Sequence, residues 1–151
     1  MKIVSPPKLT SALIAETVTA ATLSHVWVQC RPLVDSALAH AHGELNSEQL
    51  RRLVKEGHMK LVVAHDREVV HAVLALEDIT YPGYTALRVV VFAGRTRGVL
   101  KECLTRFWPK ILAGAKANGC TQIESMCHPA MAKLLLRHGF QQRYVVVGAN
   151  I

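Results

Sequence analysis

The chain has 151 residues, half of them hydrophobic and only 5% aromatic, so it can bury one aliphatic core and reads as a single domain over 1–151. Its formal net charge is +7 with the histidines neutral, which suits an anionic partner. No apolar run approaches membrane-spanning length, and no Lys/Arg run suggests a nucleic-acid tail.

The four cysteines, Cys30, Cys103, Cys120 and Cys127, contain no Cys-x-x-Cys pair. Free, partly buried thiols are expected, not a disulfide framework. Met1-Lys2 runs into Val4-Ser5-Pro6-Pro7 without the apolar core of a leader. The expectation is a soluble protein kept in a reducing, cytoplasmic compartment.

In chain order, residues 1–10 hold the Pro6-Pro7 pair and are expected as an extended arm. Residues 11–23 would tolerate a helix over 12–16, but Thr17, Val18 and Thr19 favour a first strand. Helix spacing of Val26, Trp27, Cys30, Leu33, Val34, Ala37 and Leu38 predicts a helix over 24–41, kinked or delayed by Pro32 and ended by Gly43. Asn46-Ser47-Glu48-Gln49 has the form of a capping box, so a short helix should run to about Glu56 and close at Gly57.

The period then changes. Strands are expected over 59–65, 68–79 and 85–92, joined by Asp66-Arg67 and by Tyr81-Pro82-Gly83, as an antiparallel meander. A helix after Gly98 should present Leu100, Cys103, Leu104, Phe107, Trp108, Ile111, Leu112 and Ala115 on one face, bent at Pro109, which cannot donate to Thr105. Further on are a strand over 120–127, a helix opened by His128-Pro129 and ended by Gly139, and a final strand over 140–147.

The most informative stretch joins the third meander strand to the next helix through Ala93-Gly94-Arg95-Thr96-Arg97-Gly98. A helix start offers free N–H groups, and two arginines lie beside them. That combination can hold phosphate. A plain polar turn with solvated arginines is the competing reading of this segment.

The spacing Arg95-x-x-Gly98 resembles the pyrophosphate loop of the GNAT N-acetyltransferases, and the element order covers nearly the whole chain. The family closes its last helix as Asn-x-x-Ala-x-x-x-Tyr-x-x-x-Gly-Phe. Here the same stretch runs from His128 through Met131 and Leu135 to Gly139-Phe140. Ala115, Gly119-Cys120 and Ile123-Glu124 also match the helix and strand before it. Two departures matter: Leu100 stands where the family has a small residue, and Leu135 stands in place of the acid Tyr. Val26-Trp27, Pro32-Leu33, Gly57 with Leu61, Tyr81-Pro82 and the same later positions are similar to the small GNAT-like proteins encoded among tailed-bacteriophage head and tail genes.

The resemblance implies an α+β, three-layer fold: a central mixed, mostly antiparallel sheet with helices on both faces. It implies acetyl-CoA as cofactor, held by Phe92, Ala93, Gly94, Arg95, Arg97, Gly98 and Val99 at a splay between strands 85–92 and 122–127, and an amine acceptor. Glu124 and His128 are the candidate catalytic bases, each with a plain competing reading as an Arg-paired carboxylate and a helix-start residue. Glu77 and Asp78 are further candidates. Cys127, His128, Tyr81 and Tyr84 are substitutes for the missing acid. The resemblance also allows a non-catalytic virion structural or assembly protein, with phage proteins as partners. Nucleic-acid binding is motivated by charge alone.

No metal site is expected: His40 and His42 do not share a helix face, and His58, His65 and His71 lack ligand spacing. Trp27, Phe107 and Trp108 read as core packing.

Overall fold

The β-rich middle of the sequence sets the architecture, seen here in a computed structural model that describes residues 12–151. The arm expected over 1–10 lies outside them. Strands β1 (Ile14–Thr17), β2 (Lys60–His65), β3 (Val70–Thr80) and β4 (Thr85–Gly94) pair antiparallel in that order, and β5 (Gln122–Ser125) adds parallel to β4. The expected first strand and meander are present.

Alternation on the strands feeds two cores. Leu61, Val63, Val73, Ala75 and Val91 pack against α1 (Ala20–Leu38) and α2 (Ser47–Lys55). Leu74, Leu76, Leu87, Val89 and Phe92 pack against α3 (Arg97–Arg106), α4 (Trp108–Ala117) and α5 (Pro129–Leu136). The result is helix–sheet–helix layering.

Helix α1 starts four residues before the expected 24, because Thr19 and Thr22 form a capping box of two threonines. Pro32 lies inside it on an exposed side and does not break it. The expected box on α2 is present: Asn46 Oδ1 accepts from Gln49 N at 2.8 Å, and Gln49 Oε1 accepts from Asn46 N at 2.9 Å.

Two expectations need correction. The single bent helix after Gly98 is two helices, interrupted at Phe107. Pro109 cannot supply the N–H that continuity needs, but it fits the first turn of α4. The final strand over 140–147 does not form. Tyr144-Val145-Val146-Val147 has the propensity, but a strand requires a neighbour, and residues 141–151 stay exposed without one among the described residues.

The β3–β4 ladder carries one irregularity. Ala75 faces Val91 and Leu76 faces Val89, so Val90 is surplus. This bulge flips the alternation: Leu87 and Val89 point to the α3–α5 layer, Val91 to the α1–α2 layer. Among the described residues no helix is long and apolar enough to cross a membrane.

Candidate functional site

Strands β4 and β5 pair only from Ala86–Gln122 to Val89–Ser125, where Ser125 Oγ donates to the Val89 carbonyl at 3.0 Å. Beyond that point β5 ends and β4 runs on for residues 90–94. The sheet therefore forks at the Val90 bulge, leaving one edge of β4 open. A bulge increases local twist and bends its strand, which supplies the physical cause.

At the far end of that open edge the chain turns into α3. Thr96 is its N-cap: Thr96 Oγ1 accepts from Val99 N at 3.2 Å. The amides of Arg97 and Gly98 have no partner among the described residues. Arg95 is anchored: its N donates to the His71 carbonyl at 2.8 Å and its Nε to the Val70 carbonyl at 2.7 Å. Arg95 is half-buried and Arg97 is exposed. A side chain added at Gly98 would meet only Thr96 Oγ1, at 3.9 Å, so this turn is open to an approaching group. Gly94 is not: a Cβ there would lie 3.0 Å from Leu100 Cδ2 and 3.1 Å from Leu100 Cγ. Leu100 covers the Gly94 backbone. Phe92, Ala93 and Val99 are buried, so only their backbones are available to a ligand.

The second part of the site lies on the α1–α2 face, where β3, β4 and β5 run side by side. Register sets Glu77 opposite Arg88 and Arg88 opposite Glu124. Since Leu87, Val89 and Ile123 face the α3–α5 layer, Arg88 and Glu124 face the other. Arg88 Nη2 lies 3.4 Å from Glu124 Oε2 and Nη1 lies 3.6 Å from Glu77 Oε1. Tyr81, in the turn closing the β3–β4 hairpin, donates to Glu124 Oε1 at 2.8 Å and accepts from Arg88 Nη2 at 3.1 Å. The hydrogen bond to Glu124, reinforced by burial, raises the Tyr81 hydroxyl above its ordinary value against the opposing pull of Arg88. Burial alone would lower Arg88, but the Tyr81 hydrogen bond and the Glu124 charge outweigh it and hold the guanidinium charged. Arg88 Nε is buried without a partner among the described residues.

His128 stands apart from this group. It caps α5, with Nδ1 accepting from Ala130 N at 3.3 Å, so in the neutral ring Nε2 carries the proton. The His40 ring, in the connection after α1, lies against it with centroids 4.2 Å apart. No hydrogen bond joins His128 to Glu124. Cys127 is exposed, and Leu135 is buried in the α3–α5 core, far from offering a proton. Tyr84 lies against the Tyr81 ring, centroids 5.0 Å apart. Asp78 accepts from the Cys120 thiol, with Sγ 3.6 Å from Oδ1. Trp27 and Trp108 are buried and Phe107 half-buried, all three in packing positions. All four thiols are free. Among the described residues no group of His, Cys, Asp and Glu could hold a metal ion.

The sequence reading singled out Tyr81, Glu77 and Glu124 separately. It missed Arg88, which joins them, although a charged residue inside the apolar run 86–92 was a legible signal. Nothing in the sequence pointed to His40.

A sheet of antiparallel strands ending in a forked parallel pair, with a helix start at the tip of the longer prong, is a specific arrangement. This is the fold of the GNAT acetyltransferases. An aminoglycoside acetyltransferase from an uncultured soil metagenomic sample, solved in complex with sisomicin, superposes at a TM-score of 0.68 with 14% identity, over 92% of this chain and 96% of that one. An aminoglycoside N-acetyltransferase solved with CoA gives 0.66 and 15%, over 93% and 95%. A GNAT family acetyltransferase of Staphylococcus aureus gives 0.63 and 13%, over 93% and 99%. No protein-family model matches the sequence, and no curated protein matches it. The GNAT likeness is thus one of fold.

Proposed function

We propose that the chain is an acetyl-CoA-dependent N-acetyltransferase. The observation that carries this reading is the fork. An open edge of β4 over residues 90–94 leads directly to unpartnered amides at Arg97 and Gly98, beside Arg95 and Arg97. Strand edges and helix starts are the two backbone features able to bind an extended amide chain and a pyrophosphate. The aminoglycoside enzyme solved with CoA has the same fold. In this reading the backbones of Phe92, Ala93 and Gly94 line the pantetheine path, and Arg95, Arg97, Gly98 and Val99 hold the phosphates. Bound acetyl-CoA supplies an activated acetyl thioester.

The chain's own residues then have distinct tasks. Glu124, held by hydrogen bonds from Tyr81 and Arg88, is the carboxylate that receives the acceptor's ammonium and takes its proton. His128 is suited to donate: with Nδ1 engaged by the α5 cap, its Nε2–H is the end free to protonate a departing thiolate. Leu100 narrows the entrance at Gly94. In this reading the protein works in a bacterial cytoplasm.

A second reading is favoured by Leu100 over Gly94 and by Leu135 in the core. The fold would then serve without catalysis, as a virion structural or assembly component of a tailed phage, with other virion proteins as its partners. Thermal unfolding with acetyl-CoA separates the two. The transferase reading expects a rise in Tm that Arg95→Glu combined with Gly98→Trp abolishes. No rise at millimolar acetyl-CoA, together with stoichiometric copies in purified particles, would replace it with the second reading.

A further inference from the structure

Arg95 is a cation that the fold holds without neutralising. It is half-buried, yet among the described residues no carboxylate pairs with it, whereas Arg31, Arg88 and Arg106 each have one. Its anchors are two neutral carbonyls: its backbone N donates to His71 and its Nε to Val70. Its terminal nitrogens have no partner among the described residues. Withdrawing a charge from water costs free energy unless a counter-charge meets it. A guanidinium fixed by neutral acceptors and left without an anion is therefore prepared to receive one.

The two carbonyls are themselves fixed from the α1 side and from the β2–β3 turn. Val70 N donates to Gln29 Oε1 at 2.7 Å, and Gln29 Nε2 donates to the Glu68 carbonyl at 3.3 Å. One α1 side chain thus grips both ends of the segment 68–70. Both partners are backbone groups, so they fix which end of the amide accepts and which donates. Asp66 takes the amides of Glu68 and Val69 on Oδ1 and lies 3.0 Å from His71 Nε2 through Oδ2. Asp66 and His71 are each 1% exposed, which shields their pairing from bulk water. The β2–β3 ladder shifts register between Ala64 and His65, so regular strand pairing alone does not place this corner.

We propose that Gln29 is a positioning residue for acetyl-CoA: it fixes Val70, and through the Val70 carbonyl it fixes the Arg95 side chain that holds the pyrophosphate. The proposal rests on the acetyl-transfer reading. Gln29 acts only through Arg95 and does not itself touch the cofactor. A free arginine side chain gives up much rotamer entropy on binding, and fixing it beforehand removes that cost from the ligand's affinity.

Isothermal titration calorimetry with CoA on the wild-type chain, Gln29→Ala, Arg95→Leu and the double variant tests this. Alanine favours a helix interior and Gln29 is only half-buried, so α1 should persist. Gln29→Ala should weaken CoA binding about tenfold. In the Arg95→Leu background the same change should weaken it less than about twofold, because the support has nothing left to position. Gln29→Met, which keeps the length and removes both hydrogen bonds, should behave as Gln29→Ala does. Nitrogen-15 NMR of the ligand-free chain reads the contact directly: hydrogen exchange at Arg95 Nε–H should quicken at least about tenfold in either Gln29 variant. A wild-type chain without affinity for CoA removes the acetyl-transfer reading and this proposal with it. Wild-type binding that both Gln29 variants leave intact, an equal loss with and without Arg95, or unchanged exchange at Nε–H overturns the proposal alone.

Discussion

Gly94 and Leu100 offer a direct test of how the turn between β4 and α3 is packed. Gly94 has no positive φ, so alanine fits its backbone, and the question is space alone. An alanine methyl would meet Leu100 Cδ2 at 3.0 Å, Leu100 Cγ at 3.1 Å and the Thr96 carbonyl at 3.4 Å. Leu100 is half-buried against the α3–α5 core and must give way. Overpacking of this kind costs about 1–3 kcal/mol. Stiffening the unfolded chain returns about 0.4–1 kcal/mol. Gly94→Ala should therefore lose about 1 kcal/mol, or about 2–4 °C in Tm. Leu100→Ala, at a half-buried site, should lose about 1–2 kcal/mol, below the range for full burial. In the double variant the new methyl enters the space vacated by Leu100, so the combined loss should fall short of the summed losses by about 1 kcal/mol. Urea unfolding of the four proteins completes the cycle. Ligand binding reads the same contact: Leu100→Ala uncovers the Gly94 backbone and should enlarge the Tm rise caused by acetyl-CoA, while Gly94→Ala should diminish it. Losses that simply add, within about 0.3–0.5 kcal/mol, would refute the contact as the cause.

Three further outcomes are expected. Tyr81 has a raised folded-state value, so its contribution to stability is complete below the ordinary tyrosine value of about 10 and disappears as pH rises through the folded one. Glu124→Gln removes the main cause and leaves Arg88 opposing, so an ultraviolet titration should show Tyr81 ionising at lower pH; an unchanged midpoint would exclude Glu124 as that cause. Burial pushes Cys30 and Cys103 up to about 11, leaving each about a hundredfold poorer in thiolate at pH 8 than an ordinary thiol. Ellman's reagent should consume one thiol rapidly, the exposed Cys127, and a burst of two or more equivalents would contradict the packing. Asp66 is buried and accepts from Glu68 N at 3.1 Å, from Val69 N at 2.8 Å and pairs with His71 Nε2 at 3.0 Å. Asp66→Ala should cost about 3 kcal/mol in chemical unfolding, and a loss under about 1 kcal/mol would mean water replaces these bonds.

Local chemistry was legible in the sequence, and pairing was not. Asn46 and Gln49 announced their helix because a capping box is complete within four residues. Pro109 marked a disturbance correctly, but whether a helix bends or restarts depends on the packing of Phe107 and Trp108 against the sheet. Residues 140–147 have strand propensity, yet propensity cannot supply a neighbour. The run 89–92 hid its surplus residue, because consecutive apolar residues look alike whichever face they serve. The joining of Tyr81, Arg88 and Glu124 rests on register across three strands, which no short window contains. The turn over 93–98 stood out because its glycines and arginines lie within one short window.

The surplus residue Val90 also carries a consequence for how such a crevice could be lost or gained. What opens the crevice is a count of residues, not the identity of a side chain. Any small apolar residue there would serve, while removing that one position would bring the remainder of the prong back into step and let it close against Met126 and Cys127. A chain like this is tolerant of substitution at its hinge and intolerant of a single-codon deletion.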